Sequence, residues 1–214
     1  MPITTVLFDL DDTLTDAAHF GARVLTHAVA EHGHSLEIEV VCRYPGVRYV
    51  PLLQQLLGIP LSQATDIYST YLRQYSETMN GALEEKAGAT ALLTGLAERD
   101  LRLGLVTNKI EHLAVEIIEL FGWGPLFQVV VGQDSCDFRK PHPGIAMHAL
   151  HVLQARPGVA AFVGDTVDDM ECASSAGIQT VIGLVSTTAG SMLTEAGATH
   201  ICENLSDVLS VIRQ

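Results

Sequence analysis

From about Gly88 onward the chain alternates short apolar runs with amphipathic helical stretches, which predicts an α/β domain built on an open, doubly wound parallel sheet. Two further observations complete the fold class. The first apolar run, Val6 to Phe8, is β-branched and aromatic enough to be a buried strand at the start of the chain. Between it and Gly88, apolar residues recur at three- and four-residue spacing without strand-like alternation, so an α-helical domain is expected as an insert. The expected boundaries are residues 1–15 and 84–214 for the α/β core and 16–83 for the insert.

Within the insert, Ala17 to His32, Val50 to Leu57 and Ser62 to Met79 read as helices, and a fourth is allowed. The breaks are His32 to Ser35, Tyr44-Pro45-Gly46 and Gly58-Ile59-Pro60, each rich in turn residues. In the core, helices are expected at Ala87–Glu98, Glu111–Leu120, Pro143–Gln154, Met170–Ala176, Ser191–Ala196 and Leu205–Ile212. Strands are expected at Leu103–Val106, Phe127–Val131, Ala160–Val163, Gln179–Ile182 and Ala198–Ile201.

The composition narrows the function. The formal charge is -13, from 12 basic and 25 acidic residues, a field that disfavours nucleic acid and anionic membranes as partners. A site that handles an anion must therefore be locally cationic. No apolar run approaches the roughly 18 residues needed to span a bilayer, and the start M-P-I-T-T is not a signal sequence, so a soluble, cytoplasmic protein is expected. Cys42, Cys136, Cys172 and Cys202 are widely spaced and form no C-x-x-C pair, which predicts reduced thiols rather than disulfides or a zinc site. His27, His32, His34, His148 and His151 have no evident facing partner and receive no role.

The stretch T-V-L-F-D-L-D-D-T-L-T-D carries four acids in eight residues: Asp9, Asp11, Asp12 and Asp16. Carboxylates at the end of a buried strand repel one another and lose hydration, so they require a cation or hydrogen-bond donors. In parallel sheets, ligands collect at the carboxyl ends of the strands. Here one strand ends in Asp9-x-Asp11, another in Thr107-Asn108-Lys109, and a third in Gly164-Asp165, with Asp168 and Asp169 just beyond. Lys140, in R-K-P-H-P, is expected in a turn fixed by its prolines. Singly, each group reads as an ordinary turn, cap or surface residue. In this order, they converge on one edge.

Oxygen-only ligands from two strands suit Mg²⁺, with Asp9, Asp165 and Asp169 as its candidates. Phosphoryl transfer needs positioning and charge neutralisation, which the ion, Lys140, the Thr107 hydroxyl and backbone N–H groups near Asp11 and Asn108 would supply. Asp9 is the natural nucleophile. Asp11 would protonate the leaving oxygen and then activate water.

D-L-D-D-T-L-T, L-V-T-N-K, R-K-P-H-P and V-G-D-T-V-D-D-M-E-C-A-S-S-A-G together resemble the four motifs of the haloacid dehalogenase-like superfamily, over nearly the whole chain. The resemblance implies a Rossmann-like core with a helical cap, similar to the phosphoglycolate phosphatase-like branch. It implies Asp9 as nucleophile, Asp11 as acid/base and backbone-carbonyl metal ligand, and Thr107 as phosphate binder. It further implies Lys140 as charge stabiliser and Asp165 as metal ligand supported by Asp169. Asp12 stands where many relatives have glycine, and Asp tolerates a left-handed turn. The hinge histidine of the sugar phosphomutases is replaced by Gly21, with His19 two residues early.

The expected activity is hydrolysis of a small phosphorylated metabolite by a Mg²⁺-dependent phosphatase, acting as a monomer or homodimer, with phosphoglycolate and similar esters as first choices. Asp11 and the second acid cluster argue against hydrolytic dehalogenation. A phosphomutase of the beta-phosphoglucomutase type shares the first half-reaction, and a phospho-receiver lacks both D-x-D and the insert. In the insert, Arg48 of Y-P-G-V-R is expected to meet the substrate tail, with Arg43 as a possible helper. Asp16 is expected to cap the first helix of the insert.

Overall fold

The computed structural model describes residues 2–44 and 47–212. The chain divides into two compact units, residues 1–15 with 85–214, and residues 16–84.

The larger unit begins with β1 (Thr5–Phe8), and the smaller contains α1 (Ala18–Glu31), the single turn α2 (Ile38–Val41), α3 (Tyr49–Leu57) and α4 (Leu61–Thr78). The larger unit resumes as α5 (Ala89–Ala97), β2 (Arg102–Val106), α6 (Glu111–Leu120), β3 (Phe127–Val131), α7 (Gly144–Val152) and β4 (Ala160–Gly164). It closes with α8 (Val167–Ser175), β5 (Thr180–Leu184), α9 (Gly190–Glu195), β6 (His200–Cys202) and α10 (Leu205–Ile212). The six strands are all parallel, in the order β3-β2-β1-β4-β5-β6. The fold is therefore the expected α/β, Rossmann-like sheet with flanking helices.

β1 is wholly buried because strands lie on both sides of it and helices pack on both faces. Leu7, Val106 and Phe162 share one face and pack with Ile145 and Ala149 of α7 and Met170 and Ala173 of α8. Side chains alternate along a strand, so Asp9, two residues after Leu7, continues on that same face. The segment entering α7 carries Lys140, and the first turn of α8 carries Asp169. One packed layer thus delivers the carboxylate and its partners together.

In the smaller unit, α1 packs against α4, and α4 against α3, around Leu25, Leu53, Ile67 and Tyr75. All five tyrosines of the chain belong to this segment. Tyr71 meets Tyr49 and Tyr75 edge-on, with ring centroids 5.0 and 5.6 Å apart. The expected turn at Pro45-Gly46 lies outside the described residues.

Several expectations require correction. Ala17, one residue after Asp16, is the N-cap position of α1. α8 starts at Val167 rather than Met170, because Thr166 and Asp169 close a capping box. The last strand starts at His200, two residues later than expected, after Ala198 and Thr199 hydrogen-bond to Leu193 and Val181. Gly124–Leu126 and Pro157–Val159 form 3₁₀ turns that the spacing did not predict. Among the described residues, no helix is long and apolar enough to cross a membrane. None of the four cysteines is in a disulfide.

Candidate active site

At the carboxyl edge of the sheet, the Asp9 N–H extends the ladder by donating to Val163 C=O at 2.9 Å, which fixes where its side chain leaves β1. Asp9 is 5 % exposed. Its Oδ1 lies 2.5 Å from Lys140 Nζ, which also reaches Asp169 Oδ1 at 2.6 Å. Burial raises the Asp9 pKa well above the usual carboxylate value, with Asp169 and Asp165 adding to the rise and the Lys140 ammonium opposing it. For Lys140, burial would lower the pKa, but Asp169 and Asp9 reverse that and push it up. Lys140 is thus a fixed ammonium.

Asn108 explains how a lysine is held in so short a loop. Its side-chain Oδ1 accepts from Lys140 N–H at 3.0 Å, and its Nδ2 donates to Lys140 C=O at 3.1 Å. The expectation of a substrate contact at Asn108 therefore narrows to its backbone N–H, since its amide clamps Lys140. Thr107 is buried at the end of β2, with its N–H on Val131 C=O at 3.0 Å. Its Oγ1 accepts from Lys109 N–H at 3.2 Å, which leaves the hydroxyl proton to be donated elsewhere.

Asp165 follows β4. Its Oδ1 accepts from Thr13 Oγ1 at 2.8 Å and its Oδ2 from Ser186 Oγ at 2.6 Å. Burial, with Asp169 nearby, pushes its carboxyl up to about 7, although both hydroxyls favour the ionised form. Asp169, fully buried, accepts from Thr166 N–H at 3.0 Å and Thr166 Oγ1 at 2.6 Å on Oδ2, while Oδ1 faces Lys140. Gly164 makes room for this arrangement. A Cβ there would lie 2.5 Å from Asp169 Cγ. Asp168 is half-buried and outside this set, its pKa raised chiefly by burial.

Carboxylate oxygens of Asp9, Asp165 and Asp169 lie within 4.8 Å of one another. One ammonium faces these three buried acids, so a divalent cation fits the remaining negative charge, and the all-oxygen donor set suits Mg²⁺. Asp169 is already engaged by the Lys140 ammonium and by Thr166, whereas Asp165 accepts only from the neutral hydroxyls of Thr13 and Ser186, so Asp165 keeps more of its charge for a cation.

Asp11 turns out of the strand end, with its Oδ2 2.9 Å from Lys109 Nζ. Asp12 adopts φ 60°, the left-handed conformation expected of it, and its carbonyl accepts from Lys86 Nζ at 2.7 Å. The structure thus gathers Asp9, Asp11, Thr107, Asn108, Lys140, Asp165 and Asp169 at one edge. Arg48 belongs to the other unit, exposed at the residue before α3. Sequence reasoning placed Lys109 at the edge without a role and passed over Thr13, Thr166, Ser186 and Lys86. Only Thr166 left a signal there, as the first residue of T-x-x-D ahead of a helix.

Residues 6–182 match the sequence profile of the haloacid dehalogenase-like hydrolases. A phosphoglycolate phosphatase of Cupriavidus necator is 33 % identical over 184 residues, covering 83 % of this chain and 79 % of the relative. A pyrophosphatase PpaX of Oceanobacillus iheyensis is 25 % identical over 212 residues, 99 % of this chain and 98 % of its own. Among solved structures, a candidate beta-phosphoglucomutase of Thermotoga maritima is 26 % identical, with a TM-score of 0.78 over 100 % of this chain and 99 % of that one. The chain belongs to the haloacid dehalogenase-like hydrolases, in their phosphoglycolate phosphatase-like branch, and it is a phosphatase.

Proposed function

We propose that this phosphatase is Mg²⁺-dependent, hydrolyses a small phosphomonoester of the phosphoglycolate kind, and works through an aspartyl-phosphate on Asp9. The observation that carries the reading is the buried Asp9–Lys140–Asp169 array, with Asp165 alongside. Asp9 and Asp165, with the Asp11 carbonyl, would hold the ion, and Asp169 would hold Lys140. When bound, Mg²⁺ supplies positive charge against the phosphoryl oxygens and the clustered carboxylates.

The chain's own groups divide the remaining work. Lys140 opposes the burial that raises the Asp9 pKa, and so favours the ionised form that attacks. Thr107 Oγ1 and the loop N–H groups bind phosphoryl oxygens. An Asp9 oxygen attacks phosphorus, the ester P–O bond breaks, and the leaving oxygen takes its proton from Asp11. Water then attacks the same phosphorus and gives a proton to Asp11. The Asp9–phosphorus bond breaks, releasing inorganic phosphate and restoring both carboxyl groups. Arg48 is the insert's proposed contribution to substrate choice, and a cytoplasmic location is part of the same reading.

The mutase alternative has the Thermotoga maritima neighbour in its favour. Against it, Gly21 occupies the position of the mutase histidine. A Cβ there would make ordinary contact with Tyr49 Oη at 3.4 Å and Tyr71 Oη at 3.6 Å, and glycine offers no imidazole to move a proton. Phosphate release over a panel of metabolites with Mg²⁺ tests the reading. Free phosphate in excess of any isomer, lost in EDTA and in Asp9→Asn, is expected. Substantial turnover in either condition would overturn it.

A further inference from the structure

Of the 12 basic residues in the chain, only Lys86, Lys109 and Lys140 are lysines, and all three direct their ammonium groups at Asp9–Asp12. Lys140 meets the Asp9 carboxylate, and Lys86 the carbonyl of Asp12. Lys109 meets Asp11. The proposed function gives no task to Lys109, yet its side chain is only 8 % exposed, unusual for a lysine without one. Its main chain is fixed at both ends: N–H to Thr107 Oγ1 at 3.2 Å, and C=O from Gln133 N–H at 2.9 Å.

The two oxygens of Asp11 are unlike. Oδ2 pairs with Lys109, whereas Oδ1 is buried and carries no hydrogen bond. A side chain of which 37 % is exposed has rotamers to choose from, and a bond to one oxygen removes that choice. We infer that Lys109 is a positioning residue for the acid/base. It holds Asp11 by Oδ2 so that Oδ1 is the oxygen that exchanges a proton with the leaving group and then with water. The same lysine is anchored on Thr107, so the acid is set in register with the phosphate-binding hydroxyl. This inference rests on the acid/base role proposed for Asp11.

The test compares kcat/KM for phosphoglycolate, whose alkoxide needs a proton on leaving, with p-nitrophenyl phosphate, whose phenolate leaves with little help. Lys109→Met should lower the first by about 10- to 100-fold and the second by less than about threefold, as misplacing a general acid does. Inactive protein cancels in the ratio of the two, since one preparation turns over both. Asp11→Asn should discriminate in the same sense, and Lys109→Met should leave the ratio unchanged in the Asp11→Asn background. If Lys109→Met lowers both substrates equally, or if its effect on the ratio multiplies with that of Asp11→Asn, the inference is overturned. If Asp11→Asn does not discriminate, the acid role of Asp11 falls and takes the inference with it.

Discussion

Asp165 occupies a place that burial makes hostile to its own charge, and this gives the metal-free protein a pH dependence of unusual sign. An unfolded aspartate titrates near ~3.9, whereas in the fold Asp165 is pushed up to about 7. Between these values the folded chain retains a proton that the unfolded chain has released, so stability falls as pH rises through this window. It levels off above the folded value. Asp9, whose pKa is also raised by burial, acts in the same sense. Melting in EDTA should therefore give a Tm that declines from pH 5 to about pH 7, and a Tm that climbs across that range would contradict the burial argument. Residues such as Asp9, Lys140 and Asp165 were legible because each follows an apolar strand or directly precedes a pair of prolines. Thr13 and Ser186 were not, because the bond from Thr13 to Asp165 joins residues 152 positions apart. Nothing local marks a hydroxyl for such a task.

At the scale of elements, the entrance to α8 joins secondary structure to chemistry. The capping box that starts this helix uses Asp169, the same carboxylate that holds Lys140. Thr166→Ala should cost about 1 kcal/mol of stability, as loss of such a cap does, and should also lower kcat by loosening the grip of Asp169 on Lys140. Thr166→Ser keeps the hydroxyl and should restore both. Chemical denaturation paired with kinetics checks this, and a stability loss with kcat unchanged would separate the cap from the site. The expected start at Met170 fell three residues late, because the T-x-x-D of Thr166 and Asp169 sets the helix start at Val167. Strands were easier to place: the bounds of β3 (Phe127–Val131) follow from an apolar run broken only by Gln128 and closed by Gly132. The start of α1 was harder, since Asp16 looks like an N-cap from sequence alone and the N-cap position falls one residue later, at Ala17.

At the scale of the whole chain, alternation of strands and helices foretold a parallel sheet, but not that β1 would lie between β2 and β4. That order decides the site, because neighbouring parallel strands bring Asp9, Thr107 and Asp165 to one edge. A net charge of -13 opposes an anionic substrate, and the lysines directed at Asp9–Asp12 are the local answer to that field. The central claim, that the phosphoryl group passes through Asp9, is open to direct chemical capture. Protein quenched in acid during turnover with Mg²⁺ and phosphoglycolate should, after borohydride reduction and proteolysis, carry homoserine at position 9. The account predicts that product in the wild type and its absence in Asp9→Asn. Rapid phosphate release with no reducible adduct at position 9, or with the adduct on another carboxylate, would contradict it.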